Sequence, residues 1–285
     1  MNSVDRTQEQ PSQKIEGSRK LKCSVIIVTY NEAERLSECL DSLAGVDQLV
    51  VIDLGSTDGC ADMARGFGAE VYEHEWVPFV ELVIPQAVEK IRNEWLLRLD
   101  PDEVVPEALW TDLKAALKEA QGKAAFWLPF QYYFLGKPLN STVWGGLRFF
   151  PRLLNIHHVS FSPDIHRGIV IDEGAEQVWI EARQNNRVRH YWADSMKQLL
   201  SKHRRYLENE GEAKFKNGER FSCLDLIKEP CKALWLSLVK RRGILGGFKG
   251  IFLSFFYAWY ICMSQISLYR YQNKKGDLRG SNTQE

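Results

Sequence analysis

Acidic side chains are crowded at the end of an apolar, strand-like segment. The segment WLLRL is followed by Asp100, Asp102 and Glu103, with only a proline between the two aspartates. Aspartate before proline is ordinary turn chemistry, so the carboxylates could simply face water. The alternative is a divalent cation, because Mg²⁺ and Mn²⁺ are often held by a few carboxylates together with water and substrate phosphates.

Two other apolar runs also end in polar residues. Ser24–Thr29 is a continuous β-branched run, typical of a strand buried on both faces, and TYNE ends it. The run QLVVI is followed by DLGSTDG. Helical patterns separate these strands, which predicts a doubly wound, Rossmann-like α/β sheet. Ligands bind beyond the carboxyl ends of such strands, so the three polar loops should share one edge, and this favours the cation site.

The elements around these loops have recognisable boundaries. We expect a helix over NEAERLSECLDSLAG, with Asn31 as its N-cap and Gly45 as its stop. PEALWTDLKAALKEA has the pattern of an amphipathic helix, and AAFWLPFQYYFLG and GGLRFFPRLL that of aromatic strands. A further helix is expected over DSMKQLLSKHRRYLENEGEAKF, leading out of the catalytic part.

The sequence contains neither GxxxxGK[ST] nor GxGxxG. Phosphates would therefore be bound through the metal and basic side chains, which suits a nucleotide-sugar site whose cation neutralises the departing diphosphate.

The segments SVIIVTYNE, VVIDLGSTDG and WLLRLDPDE, in this order, resemble the signatures of family 2 glycosyltransferases. Within that family the chain is most similar to bacterial transferases that extend lipopolysaccharide cores or other envelope glycans. The resemblance is strong over residues 22–110 and loose over 140–200. It implies a GT-A type mixed sheet and an inverting transfer from a nucleotide-sugar, with a UDP-sugar as the expected donor.

The resemblance also implies roles for single residues. Asp102 would bind the metal, Mg²⁺ or Mn²⁺, while Asp58 is interpreted as a helix cap. The nucleotide would be bound by Thr29, Tyr30, Asn31, Glu32, Asp53 and Asp100.

An inverting transfer needs a general base on the face opposite the leaving diphosphate. Asp164 is the first candidate and Glu173 the second, although either could be a turn carboxylate. His166 is interpreted as a metal ligand or diphosphate contact, with a structural role as the alternative. Where similar proteins have glutamate after this histidine, this chain has Arg167.

Three further side chains are candidates for acceptor or phosphate contacts: Glu103, Arg148 and His190. Relatives carry a basic residue and an asparagine near the diphosphate where this chain has Ile84 and Pro85. Either Lys90 or Arg92 compensates, or donor binding is altered.

The C-terminal part changes in composition. Six basic residues between 228 and 249 face one acid, Glu229, and Gly250–Tyr269 then runs without a charge. Helices lying in the membrane plane are the favoured interpretation, because the basic strip suits anionic lipid. A spanning helix and a helix packed on the catalytic part are the alternatives. We expect a protein bound at the cytoplasmic side of the inner membrane, peripheral or shallowly inserted.

The totals set further limits. Lys and Arg balance Asp and Glu at 37 each, so no global field points to a nucleic-acid partner. Six scattered cysteines without a CxxC pair predict a reduced protein without a zinc knuckle. The expected organisation is a disordered tail (1–20), a GT-A catalytic domain (21–195), a connecting amphipathic helix (196–225), membrane-associating helices (226–272) and a second disordered tail (273–285).

The sequence thus predicts a metal-dependent glycosyltransferase that uses a nucleotide-sugar donor and a membrane-associated glycan or lipid-linked acceptor. A catalytically decayed domain acting as a membrane-bound scaffold remains an alternative, as does a metal-dependent nucleotidyltransferase. The latter usually has a glycine- and lysine-rich loop after the first strand, where this chain has TYNE.

Overall fold

The computed structural model describes residues 20–43, 45–162 and 168–281, with side chains as far as residue 274. The strands are β1 (Leu21–Thr29), β2 (Val46–Asp53), β3 (Glu70–Glu73), β4 (Trp95–Leu99), β5 (Glu103–Val104), β6 (Lys123–Phe134), β7 (Lys137–Pro138), β8 (Leu147–Asn155), β9 (Val159–Phe161), β10 (Ile169–Ile171), β11 (Glu176–Trp179) and β12 (Val188–Ala193). The α-helices are α1 (Ala33–Asp41), α2 (Cys60–Gly66), α3 (Ile84–Val88), α4 (Glu107–Lys118), α5 (Met196–Lys216), α6 (Asp225–Trp235) and α7 (Gly247–Ser281). Short 3₁₀ turns at Val80–Leu82 and Gly243–Gly246 and a π-helix at Leu236–Lys240 complete the chain.

The main sheet has a parallel half and a mixed half. Its strand order is β3-β2-β1-β4-β8-β6-β12-β5, and β7 and β11 pair with β6 off this path. Strands β1 to β4 are parallel, and β8 then runs antiparallel to both β4 and β6. The predicted doubly wound mixed sheet is confirmed. A separate pair, β9 and β10, forms a two-stranded sheet.

Strand β1 is buried on both faces, as its β-branched run predicts. Val25 and Ile27 pack into a cluster with residues of α1, α2 and α4. Ile26 and Val28, on the opposite face, pack with residues of α3. Successive residues of a strand point to opposite sides, so this single run anchors both layers of helices.

The start of α1 differs from the prediction. The N-cap position is Glu32, not Asn31, and its side chain makes no capping bond. Instead, Asp58 Oδ2 accepts a hydrogen bond from the Ala33 amide at 2.9 Å, while Oδ1 accepts one from Cys60 at 3.2 Å. Asp58 therefore caps α1 as well as the following helix, a long-range contact that local spacing does not reveal. The helix ends at Asp41 rather than Gly45.

The C-terminal helices pack onto the mixed half of the sheet. Leu199 of α5 and Leu253 and Phe256 of α7 share a buried cluster with Phe134 and Trp192. This core places α5 against the strand ends that carry the acidic residues. Helix α7 continues beyond residue 273, where the predicted tail begins.

Helices α5 and α7 approach each other closely at Gly211. The Gly211 amide donates a hydrogen bond to Ser267 Oγ at 3.1 Å. A Cβ at Gly211 would lie 2.4 Å from the Ser267 carbonyl oxygen, so only glycine allows this spacing.

Candidate active site

A cavity of about 1240 Å³ lies at the carboxyl ends of β1 and β4. Its walls come from the ends of these strands, the segment Pro78–Leu82, β12, α5 and Tyr260 of α7. The cavity therefore occupies the sheet edge where ligands bind in open α/β sheets.

Three of the carboxylates that line this cavity follow strand ends: Glu32 after β1, and Asp100 and Asp102 after β4. The pKa of Glu32 is raised to about 7, mainly by burial of its carboxyl group and also by the negative charges of Asp102 and Asp100. The residue as a whole is exposed at the rim of the cavity. Burial would also raise the pKa of Asp100, but Arg152 and Arg98 outweigh it and lower the pKa. Asp102 behaves in the same way, because His190 and Lys202 outweigh its burial and lower its pKa. Both aspartates are thus ionised, as ligand-binding carboxylates must be.

Arg152 of β8 holds the acidic turn from below. Its guanidinium lies 3.0 Å from Asp100 Oδ2 and 2.6 Å from Glu103 Oε1. Glu103 is fully buried, and its other oxygen accepts a hydrogen bond from the Asp100 amide at 3.0 Å. The prediction that Glu103 contacts acceptor or phosphate does not fit this burial, because both oxygens are engaged beneath the cavity wall.

His190 of β12 lies between two carboxylates. Its ring nitrogens are 3.4 Å from Asp102 and 3.2 Å from Glu103, ion-pair distances without good hydrogen-bond geometry. Its ring stacks on Tyr132 at 4.4 Å between centroids. Burial lowers the pKa of His190, but Asp102 and Glu103 outweigh it and raise the pKa to about 9. The two carboxylates therefore favour the protonated form of His190.

Lys202 of α5 contacts the acidic turn from the opposite side. Its Nζ lies 3.5 Å from Asp102 Oδ2 and 3.5 Å from the Trp192 carbonyl oxygen. Sequence analysis missed this residue, since its helix was interpreted only as a connection. A lysine on the inward face of an amphipathic helix could have marked it as a buried cation. Nothing in the sequence indicates, however, that this face contacts the acidic turn.

Three of the residues predicted to bind the nucleotide, the last residue of β1 and the two that follow it, do not line this cavity. Thr29 is buried, and its hydroxyl donates to Cys60 Sγ at 3.5 Å. Tyr30 is exposed and meets Trp76 edge to face. Asn31 adopts φ +54°, a conformation that asparagine tolerates. Its Oδ1 accepts a hydrogen bond from the Thr57 amide at 2.8 Å, so Asn31 joins the loops after β1 and β2.

Asp53, at the end of β2, pairs in register with Thr29 on β1. It is buried, and Oδ2 accepts a hydrogen bond from the Ser56 amide at 3.0 Å. Oδ1 has no partner in the part of the chain that the structure describes. A buried acceptor without a donor is costly, so this oxygen suits a ligand hydroxyl or amine.

Of the two candidate bases, only Glu173 lies among the described residues. Asp164 and His166 lie outside the described residues, in the gap between 162 and 168. Glu173 is exposed in the turn that follows β10. Arg148 lies over the Tyr132 ring and donates to the Val143 carbonyl, so it sits close to the cavity without lining it.

Ile84 and Pro85, which stand where relatives have a basic residue and an asparagine, lie in the first turn of α3. Ile84 is buried in the core on the α3 side of the sheet. Lys90 lies over the Tyr72 ring, and Arg92 pairs with Glu70 at 2.9 Å. Neither basic residue lines the cavity, so neither stands where it could replace the missing charge.

The donor set at the cavity fits a divalent cation only in part. Within the described ranges, no group of three His, Cys, Asp or Glu side chains could hold a metal by itself. Mg²⁺ and Mn²⁺, however, take one or two carboxylates and complete their shells with water and phosphate oxygens. Burial is the main cause of the raised pKa of Glu32, and the negative charges of Asp102 and Asp100 add to it. Asp102 and Glu32 both line the cavity and offer carboxylate oxygens of the kind that these cations take.

Residues 24–161 match the family model described as glycosyl transferase family 2. An uncharacterized glycosyltransferase of Rickettsia typhi is 25% identical over 245 residues, covering 84% of this chain and 83% of the relative. The lipopolysaccharide core biosynthesis glycosyltransferase LpsC of Rhizobium meliloti is 24% identical over 233 residues, covering 79% and 83%.

Among solved structures, the fold is similar to a mannosyltransferase of Pyrobaculum calidifontis that was solved with GDP-Man and Mn²⁺. The TM-score is 0.51 at 14% identity, with 88% of each chain covered, a likeness of fold alone. The strand order, the cavity at the carboxyl ends of β1 and β4 and the family match agree. Residues 24–161 therefore form a glycosyl transferase family 2 domain, and the chain has the GT-A fold.

Proposed function

We propose that this chain is a metal-dependent, inverting glycosyltransferase that moves a sugar from a nucleotide-sugar to a membrane-associated acceptor. One observation carries the proposal: Glu32, Asp100 and Asp102 converge on one large cavity at the carboxyl edge of a family 2 domain. A UDP-sugar is the first candidate donor. LpsC, named for lipopolysaccharide core biosynthesis, makes a lipopolysaccharide core or another envelope glycan the first candidate acceptor.

Asp102, with Glu32, would hold Mg²⁺ or Mn²⁺. When bound, the metal neutralises the charge that develops on the departing diphosphate. The chain's own contribution is the rigid placement of Asp102 between His190 and Lys202, which keeps the carboxylate ionised. Asp53, with its unpartnered oxygen, and the loop of Thr29, Tyr30 and Asn31 would bind the nucleoside.

Inversion requires a base that deprotonates the acceptor hydroxyl during attack. Asp164 remains the first candidate and Glu173 the second. A carboxylate base is also supported by the position of His190 between Asp102 and Glu103, because these two charges favour its protonated form. The variants Asp164→Asn and Glu173→Gln show which residue is the base. Only replacement of the base should lower kcat while donor binding is retained.

An apolar surface on the C-terminal helices supports a bilayer as the place where the acceptor is met. The segment Gly243–Lys274 is long and apolar enough to cross a membrane by length and composition alone. One face of α7 packs on α5, whereas Phe248 and Phe255 on the other face are exposed. The neighbouring Leu245 is 76% exposed. Exposed basic residues accompany this surface: Lys228, Lys232, Lys240, Arg241 and Arg242.

We therefore propose shallow docking on an anionic leaflet at the cytoplasmic side of the inner membrane. Leu245→Ser with Phe248→Ser should weaken binding to vesicles rich in phosphatidylglycerol by roughly 100-fold. The reason is that moving these two apolar side chains from water into the bilayer contributes about 3 kcal/mol or more to binding. Phe67→Ser, which changes an apolar residue that is 42% exposed on the catalytic part, is the control. Equal binding of wild type and double variant would refute the docking surface.

Nucleotide binding tests the central proposal. Thermal unfolding of the full chain is followed with UDP, GDP, ADP and CDP, each with and without Mn²⁺. One nucleotide should raise the Tm in a Mn²⁺-dependent manner, and Asp102→Asn should abolish that increase. Asp62→Asn, which changes an exposed carboxylate on α2, should leave it intact.

The opposite outcome is equally informative. A folded wild type that no nucleotide stabilises would refute the donor site and favour a decayed transferase domain that acts as a scaffold. Stabilisation by one nucleotide without transfer to any glycan acceptor would also favour the scaffold.

A further inference from the structure

One face of α5 lines the cavity along most of the helix. Lys202, Arg205 and Asn209 follow each other at intervals of three and four residues, and all three line the cavity. Lys216, at the last turn, also lines it. At 1.5 Å per residue, the distance from Lys202 to Lys216 is about 21 Å. The acidic turn lies at the Lys202 end, so this end faces the reacting groups.

Lys202 is a charged side chain without a close partner. Its two contacts, with Asp102 Oδ2 and the Trp192 carbonyl, are both 3.5 Å long, at the outer limit of a hydrogen bond. A cation in the cavity wall with only distant acceptors can take a closer anionic oxygen.

Arg205 provides a second cation one turn further along. It is exposed, and no ion pair within 4 Å joins it to any residue in the described part of the chain. It nevertheless lines the same cavity as Glu32. Arg205 and Lys202 therefore flank the same acidic rim from α5.

The other cations near the rim are already paired. Arg98 lies 3.4 Å from Glu81, and Arg152 holds Asp100 and Glu103 beneath the wall. Lys90 and Arg92, the residues that the sequence suggested as substitutes for the missing basic residue, do not line the cavity. Among the described residues, the cations left for a ligand at the acidic end of the cavity come from α5.

We propose that Lys202 and Arg205 bind the diphosphate of the donor, supplying from α5 the positive charge that Ile84 and Pro85 do not. The inference rests on the proposed function of the cavity. Ammonium and guanidinium groups form short, charge-assisted hydrogen bonds with phosphate oxygens. They also stabilise the charge that grows on a departing diphosphate. The ligand class is a diphosphate, whatever base or sugar it carries.

Calorimetric titration of the full chain with UDP, UMP and inorganic pyrophosphate, with and without Mn²⁺, tests the proposal. Lys202→Ala and Arg205→Ala should each weaken UDP and pyrophosphate binding by about tenfold or more, the loss of one charge-assisted contact. UMP binding should change less, and Lys202→Arg should restore most of the affinity. Lys197→Ala and Arg204→Ala, which remove neighbouring exposed cations of α5 outside the cavity, are matched controls.

Each alternative outcome is distinct. Unchanged UDP and pyrophosphate binding in both variants, with the wild type binding normally, overturns the inference and leaves the proposed function standing. Unchanged pyrophosphate binding with reduced binding of phosphatidate vesicles also overturns it, because the cations would then serve a phosphorylated lipid. A wild type that binds neither UDP nor pyrophosphate overturns this inference together with the donor site. Arg205 is exposed, so Arg205→Ala remains informative if Lys202→Ala unfolds the chain.

Discussion

Replacing Arg152 by methionine tests whether the acidic turn is held by a buried ion pair. Methionine keeps much of the unbranched stem and removes the guanidinium. The Arg152 side chain is 13% exposed and Glu103 is fully buried, so the change leaves a carboxylate without its main partner inside the protein. Removing one partner of a buried pair typically costs about 3–5 kcal/mol. The remaining contacts of Glu103 with His190 and the Asp100 amide place the expected loss near the lower limit.

The assay is urea unfolding of wild type and variant at pH 7. We expect Arg152→Met to lower the free energy of unfolding by about 3 kcal/mol. Adding Glu103→Leu should recover part of this loss, because the orphaned charge is removed as well. The control is Arg183→Met, which breaks an equally short pair with Asp112 at a side chain that is 50% exposed. That change should cost less than about 1 kcal/mol.

Two results would refute this reasoning. A loss of less than about 1 kcal/mol for Arg152→Met would mean that water or another cation reaches Glu103. Equal losses for Arg152→Met and Arg183→Met would mean that burial does not decide the strength of these pairs.

Three further predictions concern other parts of the molecule. The pKa of His190 is raised from 6.5 to about 9, so its stabilisation is full below pH 6.5 and is lost as the pH rises through about 9. The Tm of the wild type should fall across this window more than that of His190→Gln. Gly211→Ala should destabilise by about 1–3 kcal/mol through the clash with Ser267, whereas Gly66→Ala, at an open helical position, should stabilise slightly; urea unfolding of both variants checks this. Asp58→Ala should cost about 1–2 kcal/mol in the same assay, because two helices lose a cap, and Asp62→Ala should cost less.

The parallel half of the fold could be predicted from the sequence because its signals are local. The β-branched run of β1 is buried on both faces, and the polar loops fall where strands end. Parallel strands bring those ends to one edge, so the convergence of Glu32, Asp100 and Asp102 followed from strand order alone.

The supporting charges could not be predicted in this way. Arg152 lies about fifty residues from the acidic turn, and Lys202 about a hundred, so only the packing of β8 and α5 brings them there. The cap of α1 is missed for the same reason, because Asp58 arrives from the loop after β2. Glu103 was expected to contact acceptor or phosphate, but it is buried and paired with Arg152, which no local pattern connects to it.

The shared position of α5, between the cavity and α7, bears on attempts to shorten the chain. Deleting α7 to obtain a less adhesive protein would remove Tyr260 from the cavity wall and uncover Leu199 and His203. Lys202 is next to His203 and one turn from Leu199 on α5, so the loosened helix would no longer hold Lys202 in the cavity wall. The apolar helix α7 thus supports the cavity wall through its contacts with α5, in addition to presenting an exposed surface. A variant with a less apolar surface should therefore keep α7 and replace only its exposed residues, such as Phe248 and Phe255.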